Sequence, residues 1–201
     1  MAKVLMIASN LGLWGEELQA PWDLLKQAGH ELTLGTYQGK TPLPLAWSVD
    51  RDFRDPNHSL INTSESVDRC MELLKNGEWS DPIKFDNAKM SDYDAICLVG
   101  GFGAPLDLNG APAIHRLLVE AWQNNKIIGA LCYAVGALAL TRQPDNYHNS
   151  IIRGKAITAH PHEWDWIWGL TYDLYGATPD NPGTKVVTPG FVYPLRPIVE
   201  D

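Results

Sequence analysis

The chain has no long hydrophobic run and few positive charges. None of its apolar stretches approaches the roughly 20 residues that a helix needs to span a bilayer. Lysine and arginine together number 16 against 24 aspartates and glutamates, which gives a formal net charge of −8. An acidic surface does not attract nucleic acid or an anionic membrane, so neither is an expected partner. The N-terminal residues enter a strand-like segment without a leader pattern, which predicts a cytoplasmic protein.

Cysteine is also scarce, and its pattern argues against two further classes. The three cysteines, Cys70, Cys97 and Cys132, are an odd number without the paired spacing of a metal site. They therefore predict reduced thiols rather than a disulfide framework, and no bound metal. The glycines at positions 100, 101 and 103 do not follow the Gly-x-Gly-x-x-Gly pattern of a dinucleotide site. No cofactor is expected.

What the chain does have is an alternation of strand and helix signals. Apolar stretches predict strands over residues 4–8, 95–99, 126–131, 155–159 and 185–188, and an alternating pattern predicts a further strand over residues 31–36. Apolar residues at helical spacing predict helices between several of these strands. Strands that alternate with helices form parallel sheets covered on both faces. The predicted fold class is α/β, a flavodoxin-like three-layer sandwich with a mostly parallel central sheet.

The length and composition predict one domain over residues 1–201, since 45% of the residues are hydrophobic and can form a full core. Residues 39–60 are rich in proline and aspartate, contain Trp47 and show no clear period. They are expected to form a long surface connection or an insertion. Long loops of this kind in a compact domain are often functional.

Two helix boundaries rest on single residues. Pro21 suits a first helical turn and Gly29 suits a helix end, so the first helix is predicted to begin at Pro21. Asn62, with Glu65 three residues later, forms a capping-box pattern for the second helix, and Gly77 ends that helix.

Cys132 stands at the junction of a predicted strand and a predicted helix. Residues 127–131 are typical of the end of a buried strand, and residues 134–140 of a helix of small and apolar residues. A side chain on such a tight turn projects from the sheet edge beside the free N–H groups of the helix N-terminus. Those groups favour an anion, so we expect the pKa of the Cys132 thiol to be lowered. The pattern predicts a nucleophile elbow.

Other candidate site residues follow the ends of neighbouring predicted strands, where ligands bind in parallel sheets. Glu17, or its rival Glu16, follows the first strand and can act as a general acid or base toward the thiol. The Gly100-Gly101 turn follows the strand over residues 95–99 and can aim backbone N–H groups at an oxyanion. Thr188 is expected at the same edge of the sheet.

Two histidines, His160 and His162, follow the predicted strand over residues 155–159. Either is a candidate proton-transfer partner for the thiol, and as a metal pair they would need further ligands that the sequence does not indicate. Trp164 begins a run of three tryptophans at alternate positions. These rings can line the pocket, or pack as one face of a helix on the sheet or on a dimer partner, whereas their spacing of two is typical of a strand.

In this order, Glu17, the Gly100-Gly101 turn and the Cys132 elbow resemble the ThiJ/PfpI superfamily, which has a class I glutamine amidotransferase-like fold. The likeness spans residues 4–159. Within the superfamily the chain is most similar to the glyoxalase III-type stress-protein branch. The most specific segments are residues 94–104 and 129–136 for the superfamily, and residues 55–60 and 153–158 for the branch.

The resemblance implies roles for individual residues. By that likeness, Glu17 is the acid/base carboxyl and Cys132 is the nucleophile. The amides of Gly100, Gly101 and Tyr133 are the implied oxyanion donors. The resemblance also implies a homodimer.

The chain departs from the superfamily pattern at three places. Tyr133 stands where members with glyoxalase III activity usually carry histidine, and tyrosine, with a reference pKa of about 10, is a poor base near neutral pH. Glu163 and Asp165 are the nearest matches to the acidic residue expected after the strand over residues 155–159. Residues 188–194 replace the usual Asn-Pro segment, and no closing helix is expected after them.

Three functional hypotheses follow from the sequence. In the first, the chain is a cofactor-free enzyme whose Cys132 thiolate adds to a small electrophile, such as a 2-oxoaldehyde in a glyoxalase III-like lyase or hydratase reaction, or an isonitrile-type centre. In the second, it is a redox-sensing stress protein or holdase without turnover, since an exposed thiol of low pKa oxidises readily. In the third, it is an amidase or protease in which His160 serves as the base.

Overall fold

Five short strands form one parallel sheet. A computed structural model of the chain describes residues 1–55, 57–159, 170–176, 185–188 and 195–200. The strands are β1 (Lys3–Ile7), β2 (Glu31–Thr36), β3 (Ile83–Lys84), β4 (Ala95–Leu98) and β5 (Ile127–Ala130). They pair in the order β3-β2-β1-β4-β5, and every pairing is parallel. The predicted parallel central sheet is confirmed.

Helices cover both faces of this sheet, as the three-layer prediction requires. They are α1 (Gly15–Gln27), α2 (Ser64–Lys75), α3 (Ala104–Asp107), α4 (Pro112–Gln123) and α5 (Val135–Leu140). Leu5 and Ile7 of β1 point into a core shared with α3, α4 and α5. Val4 and Met6 point into a second core shared with α1 and α2. This alternation follows from the two-residue period of a strand, and it confirms the α/β sandwich.

The helix α1 begins six residues earlier than predicted, at Gly15, and Pro21 lies inside it. Proline has no N–H to donate to the carbonyl four residues before it, which costs a helix interior about 3 kcal/mol. Gly15, Leu18 and Trp22 are buried, so packing on both sides of Pro21 outweighs this local cost. The correction matters for function, because it places Glu17 in the first turn of a helix.

The cap of α2 also differs from the prediction. Thr63 is the cap, and its side chain accepts a hydrogen bond from the Ser66 N–H. The Asn62 amide instead donates to the carbonyls of Trp47 at 2.7 Å and Asp50 at 2.6 Å. Asn62 is 4% exposed. Its buried side chain therefore stabilises the segment that precedes α2 instead of capping the helix.

The connecting segment, residues 39–60, contains a single turn of 3₁₀ helix, Ala46–Val49, among its described residues. Its Leu43, Leu45 and Val49 side chains are buried. The Ser48 hydroxyl accepts a hydrogen bond from the Gly15 N–H at 3.0 Å. The segment is thereby attached to the first residue of α1. The one-domain organisation stays a prediction.

The chain beyond α5 departs from the prediction in three ways. Residues 155–159 form no strand, and residues 153–158 are exposed, so among the described residues β5 has β4 as its one neighbour. Ile127, expected to be buried, is 75% exposed at this edge. Thr188 ends a strand of a separate antiparallel pair rather than a strand of the parallel sheet. A closing helix that was not expected begins with the buried Leu195.

The smaller elements of this region are two antiparallel pairs and the closing helix. They are β6 (Arg142–Gln143) with β7 (Asn146–Ser150), β8 (Leu170–Asp173) with β9 (Lys185–Thr188), and α6 (Leu195–Glu200). Among the described residues, no helix combines the length and the apolar character that crossing a membrane requires.

The end of β1 is joined to α3 through a buried carboxyl group. Asp107 accepts a hydrogen bond from the Asn10 N–H at 2.9 Å, and the Ser9 hydroxyl also bonds to it. Burial raises the pKa of Asp107 to about 6, although the bonds from Ser9 and Asn10 oppose this shift. The carboxyl is thus a pH-sensitive part of the core.

We expect Asp107→Asn to change how stability depends on pH. The native pKa of about 6 lies above the ordinary value of about 4, so the native state holds this proton more tightly than the unfolded chain does. The stabilisation is therefore lost as pH rises from about 4 through about 6. The unfolding free energy of the variant relative to wild type should rise by about 1–3 kcal/mol across this range, measured by thermal unfolding at a series of pH values.

The matched control is Asp81→Asn, which removes an exposed carboxyl and changes the net charge equally. It should show no such trend. A difference between Asp107→Asn and wild type that stays constant with pH contradicts the prediction.

Candidate active site

The candidate site lies at the carboxyl ends of β1, β4 and β5. The chain leaves β1 for α1 on one face of the sheet and leaves β4 for α3 and α4 on the other. The sheet therefore has its topological switch point between these two neighbouring strands, where ligands bind in open α/β sheets. Glu17 follows β1, Gly100 follows β4 and Cys132 follows β5.

Cys132 adopts the left-handed backbone conformation of a nucleophile elbow, with φ of +48°. This conformation is unfavourable for a residue with a Cβ, by about 1–2 kcal/mol, and the surroundings must hold it. The Leu131 N–H donates to the Leu98 carbonyl at 3.0 Å. On the other side, the Asn109 amide donates to the Tyr133 carbonyl at 2.9 Å. The elbow is therefore fixed from both its strand side and its helix side.

The Glu17 carboxyl meets the Cys132 thiol beside Gly100. The Gly100 N–H donates to Glu17 Oε2 at 2.9 Å, and the carboxyl is hydrogen-bonded to the thiol. A Cβ on Gly100 would lie 2.5 Å from Glu17 Oε2 and 2.6 Å from the Cβ of Cys132. Only glycine leaves room for this meeting of carboxyl and thiol.

Two other backbone amides point at the thiol. The N–H groups of Gly101 and Tyr133 both form hydrogen bonds with the Cys132 sulfur. Gly101 has φ of +105°, and a Cβ there would lie 2.5 Å from the backbone nitrogen of Trp14. The Gly100 amide, expected beside them as an oxyanion donor, is instead bonded to Glu17. The donor pair that faces the sulfur is Gly101 and Tyr133.

The two acids of the site both have raised pKa values. Burial raises the pKa of Glu17 to about 7, against the opposing hydrogen bonds from Cys132 and Gly100. Burial, and then the charge of Glu17, raise the pKa of the Cys132 thiol to about 12, although the Gly101 and Tyr133 amides lower it. The predicted lowering of the thiol pKa is therefore wrong for this state. The dipole of the short helix α5 does not offset desolvation next to a carboxylate.

The structure separates the rival carboxyls. Glu17 contacts the thiol, whereas the charge of Glu16 acts on Glu17 and on the thiol of Cys70. The phenol of Tyr133 is buried, with 4% exposure, against Phe102, so the Tyr133 backbone rather than its ring faces Cys132.

Three predicted site residues, His160, His162 and Trp164, lie outside the described residues. Within the described part of the chain, no three His, Cys, Asp or Glu side chains cluster in a way that could hold a metal ion.

Four aromatic residues that the sequence analysis did not single out adjoin the site. This aromatic cluster consists of Trp14, Trp47, Phe53 and Phe102. The rings of Trp47 and Phe53 stack with centroids 5.6 Å apart. The backbone N–H of Trp14 donates to the Gly100 carbonyl at 3.3 Å. The eight tryptophans of the chain, an unusual number for its length, were the signal that could have pointed to Trp14 and Trp47.

Comparison with known proteins places the chain in a family. Residues 8–162 match the model of the ThiJ/PfpI family-like proteins, which is more than half of the chain. The chain belongs to the ThiJ/PfpI family. Its sequence is 25% identical over 191 residues to the glutathione-independent glyoxalase hsp3101 of Schizosaccharomyces pombe, across 86% of this chain and 72% of that protein.

Further ThiJ/PfpI relatives agree with the branch that the sequence indicated. The protein/nucleic acid deglycase HchA of Staphylococcus aureus is 23% identical over 74% of this chain and 48% of its own length. The chain thus spans about half of that relative. Glyoxalase III of Candida albicans has the same fold, with a TM-score of 0.56 and 16% identity over 73% of this chain and 63% of that one. The Francisella tularensis Rapid Encystment Protein 24 kDa also has this fold, with a TM-score of 0.63 and 23% identity over 81% of this chain and 72% of that one.

We expect Gly100→Ala to destabilise the protein and to push Glu17 away from Cys132. The added Cβ would lie within 2.6 Å of both side chains, so the unfolding free energy should fall by about 1–3 kcal/mol. Gly110→Ala is the matched control, because its Cβ would meet nothing within 4 Å. Denaturant unfolding compares the two variants, and equal stability would show that the close approach at Gly100 is not a constraint.

Glu17→Gln should lower the pKa of the Cys132 thiol. The charge of Glu17 raises this pKa, so the thiolate should form at a lower pH, by about one pH unit, once the carboxylate is gone. The ultraviolet absorbance of the thiolate as a function of pH measures the change, with Cys132→Ala to subtract the other two thiols. Glu16→Gln serves as the control with the same change of charge. A Cys132 pKa that is unchanged or higher in Glu17→Gln would refute this account.

Proposed function

We propose that this protein is a cysteine-dependent, glutathione-independent enzyme that converts 2-oxoaldehydes into 2-hydroxy acids. One observation carries the proposal: the Glu17 carboxyl is hydrogen-bonded to the Cys132 thiol, beside two backbone amides directed at the same sulfur. A nucleophile, a proton acceptor and anion-stabilising donors are the groups that thiol addition to a carbonyl needs. The similarity to proteins named glyoxalase supports the same reaction class.

The first step is addition of the thiol to the aldehyde. Glu17 accepts the thiol proton while a bond forms between sulfur and the aldehyde carbon. The carbonyl π electrons move to oxygen, and the Gly101 and Tyr133 amides stabilise that negative charge. Transfer of the proton to Glu17 also removes the carboxylate charge that raises the pKa of Cys132. Return of the proton to the oxygen gives a neutral hemithioacetal.

The next steps isomerise the hemithioacetal by moving two protons. Glu17 takes the proton from the former aldehyde carbon, and a proton is returned to the neighbouring ketone carbon. The hemithioacetal hydroxyl loses its proton and becomes the thioester carbonyl, while the ketone oxygen gains a proton and becomes the 2-hydroxyl group. The product is a thioester of a 2-hydroxy acid. Water then cleaves the thioester, which frees the acid and restores the Cys132 thiol. The sum is the addition of one water molecule, so no oxidant or reductant is consumed.

The pKa of Glu17 suits this shuttle. A group that both accepts and donates protons works best when its pKa is close to the working pH, and the pKa of Glu17 is raised to about 7. Asp107, whose pKa is also raised, bonds to the end of β1 and not to the thiol. Glu17 is therefore our candidate for the acid/base residue.

The redox-sensing alternative has less support than the enzyme. It was predicted on the basis of a thiol with a lowered pKa, and the structure raises the pKa of Cys132 instead. The amidase alternative needs His160, which lies outside the described residues. The small-molecule substrate is part of the proposal, and the cytoplasmic location and the homodimer stay predictions.

Cys132→Ala should abolish the conversion of methylglyoxal to lactate in the absence of glutathione. The variant lacks the nucleophile but keeps the Glu17 carboxyl and the backbone amides. Proton NMR of the reaction mixture measures the aldehyde and the acid directly. Cys70→Ala, which removes a buried thiol of the core, is the matched control. Wild-type turnover in Cys132→Ala would rule out the proposed mechanism.

The pH profile should report the Glu17 carboxyl. Because its carboxylate form accepts the thiol proton, kcat/KM should increase with pH through an apparent pKa of about 7. Glu17→Gln should lower kcat/KM by about 10²–10⁴-fold and lose this rising limb. Glu16→Gln should keep the limb. A profile that is flat from about pH 5 to about pH 9 in wild type would assign the proton transfer to another group.

A further inference from the structure

Asn109 connects the segment after α3 to the elbow that carries Cys132. It follows the end of α3 and is 8% exposed. Its side-chain amide donates to the Tyr133 carbonyl at 2.9 Å, while the Tyr133 N–H is hydrogen-bonded to the Cys132 sulfur. In a helical turn such as this one, the N–H and the carbonyl of a residue point in opposite directions along the axis. A bond that holds the carbonyl therefore also fixes the direction of the N–H that faces the sulfur.

The approach of Asn109 to the elbow depends on a glycine in α5. A Cβ on Gly136 would lie 2.6 Å from the side-chain nitrogen of Asn109, the atom that donates to Tyr133. A larger residue at position 136 would therefore displace the amide. Glycine weakens a helix interior relative to alanine, yet this buried position of α5 holds one. Gly136 thus makes the bond between Asn109 and Tyr133 possible.

Stability alone does not explain an asparagine at position 109. Within the described residues, its Oδ1 atom is buried and has no hydrogen-bond partner. Turning the amide over does not help, because the oxygen would then face the Tyr133 carbonyl, which only accepts hydrogen bonds. An unsatisfied buried oxygen destabilises a fold, and an apolar side chain of the same size would avoid that cost. What asparagine adds at this position is the donor to Tyr133.

The backbone of Asn109 gives this side chain a fixed base. Its N–H donates to the Ala104 carbonyl at 2.9 Å, and its carbonyl accepts from Nε2 of His115 at 2.6 Å. Ala104, the first residue of α3, in turn donates its N–H to the Gly101 carbonyl at 3.2 Å. The short helix α3 therefore has Gly101, the other residue whose amide faces the sulfur, before it and Asn109 after it.

From this arrangement we propose that Asn109 is a positioning residue that directs the Tyr133 amide at the negative charge formed during attack by Cys132. The inference rests on the proposed function, in which this amide stabilises the oxyanion. Asn109 acts through the Tyr133 backbone. Charge develops on the substrate oxygen only as the bond to sulfur forms, so a misdirected amide weakens the transition state more than substrate binding. Loss of the Asn109 donor should therefore lower kcat and leave KM nearly unchanged.

Steady-state kinetics with methylglyoxal tests the catalytic part of this inference. Asn109→Leu removes the donor with little change of volume and should lower kcat by about 10-fold. This loss is smaller than the roughly 10²–10³-fold that follows removal of an oxyanion donor, because the Tyr133 N–H is redirected and not deleted. KM should change by less than about twofold. Asn109→Ala, which also lacks the donor, should give the same result and replaces the leucine variant if leucine does not fit.

Thr141→Val is the matched control. Thr141 is buried, and its hydroxyl donates to the Ala137 carbonyl at 2.7 Å, at the end of α5 away from the elbow. The variant removes the same kind of bond, from a buried side chain to a backbone carbonyl, and should keep the wild-type kcat. Equal losses of kcat in Asn109→Leu and Thr141→Val would show a general loosening of α5 and would overturn the inference.

Amide hydrogen exchange, followed by NMR, tests the positioning without turnover. In Asn109→Leu the Tyr133 amide should exchange about 5- to 10-fold faster than in wild type, whereas the Gly101 amide should keep its wild-type rate. Thr141→Val should change neither rate. Unchanged exchange at Tyr133, or equal acceleration at Tyr133 and Gly101, contradicts the inference.

The two measurements keep this inference apart from the proposed function. If wild type converts methylglyoxal but Asn109→Leu keeps the wild-type kcat, the positioning role is wrong and the enzyme stands. If Asn109→Leu releases the Tyr133 amide but wild type converts no 2-oxoaldehyde, the proposed function is wrong and the control of the amide by Asn109 stands.

Discussion

The hydrogen bond from the Gly100 amide to the Glu17 carboxyl joins the first turn of α1 to the turn that follows β4, and Cys132 lies against that junction. Its donor–acceptor distance is 2.9 Å, and there is no room for a Cβ between the carboxyl and Cys132. Three segments far apart in the chain therefore meet at one glycine. This contact also positions Gly101, the residue after Gly100, whose amide is hydrogen-bonded to the Cys132 thiol.

The same close approach determines the electrostatics. A carboxyl and a thiol that share a partly desolvated place cannot both be ionised at low cost, and both pKa values are raised. The backbone amides of Gly101 and Tyr133 oppose that effect at the sulfur. The resting pair thus keeps its thiol proton, and the positions of Glu17 and the amides suit transfer of that proton during attack. Reactivity in such a site comes from the paired carboxyl rather than from a thiolate formed in advance.

The connecting segment, residues 39–60, is attached to the rest of the fold by buried polar side chains. The buried Ser48 hydroxyl accepts a hydrogen bond from Gly15, the first residue of α1. The buried Asn62 amide, two residues beyond the segment, donates to the carbonyls of Trp47 and Asp50. Its Trp47 and Phe53 rings stack on each other, and Trp47 meets the ring of Phe102, the residue that follows the Gly100-Gly101 turn. The segment has little regular secondary structure, yet its aromatic side chains occupy defined positions because polar atoms beneath them are satisfied within the fold.

The sequence by itself determined the layered α/β architecture, the elbow at Cys132 and the identity of Glu17 as a candidate partner. These follow from local rules: strand and helix periods, and a reactive residue at a strand-to-helix junction. Only the tertiary structure decided that α1 continues through Pro21, that residues 155–159 form no strand, and that the Gly100 amide serves Glu17. It also reversed the expected direction of the Cys132 pKa shift. Packing, burial and the charge of a residue more than a hundred positions away control these properties, and no local pattern in the sequence encodes them.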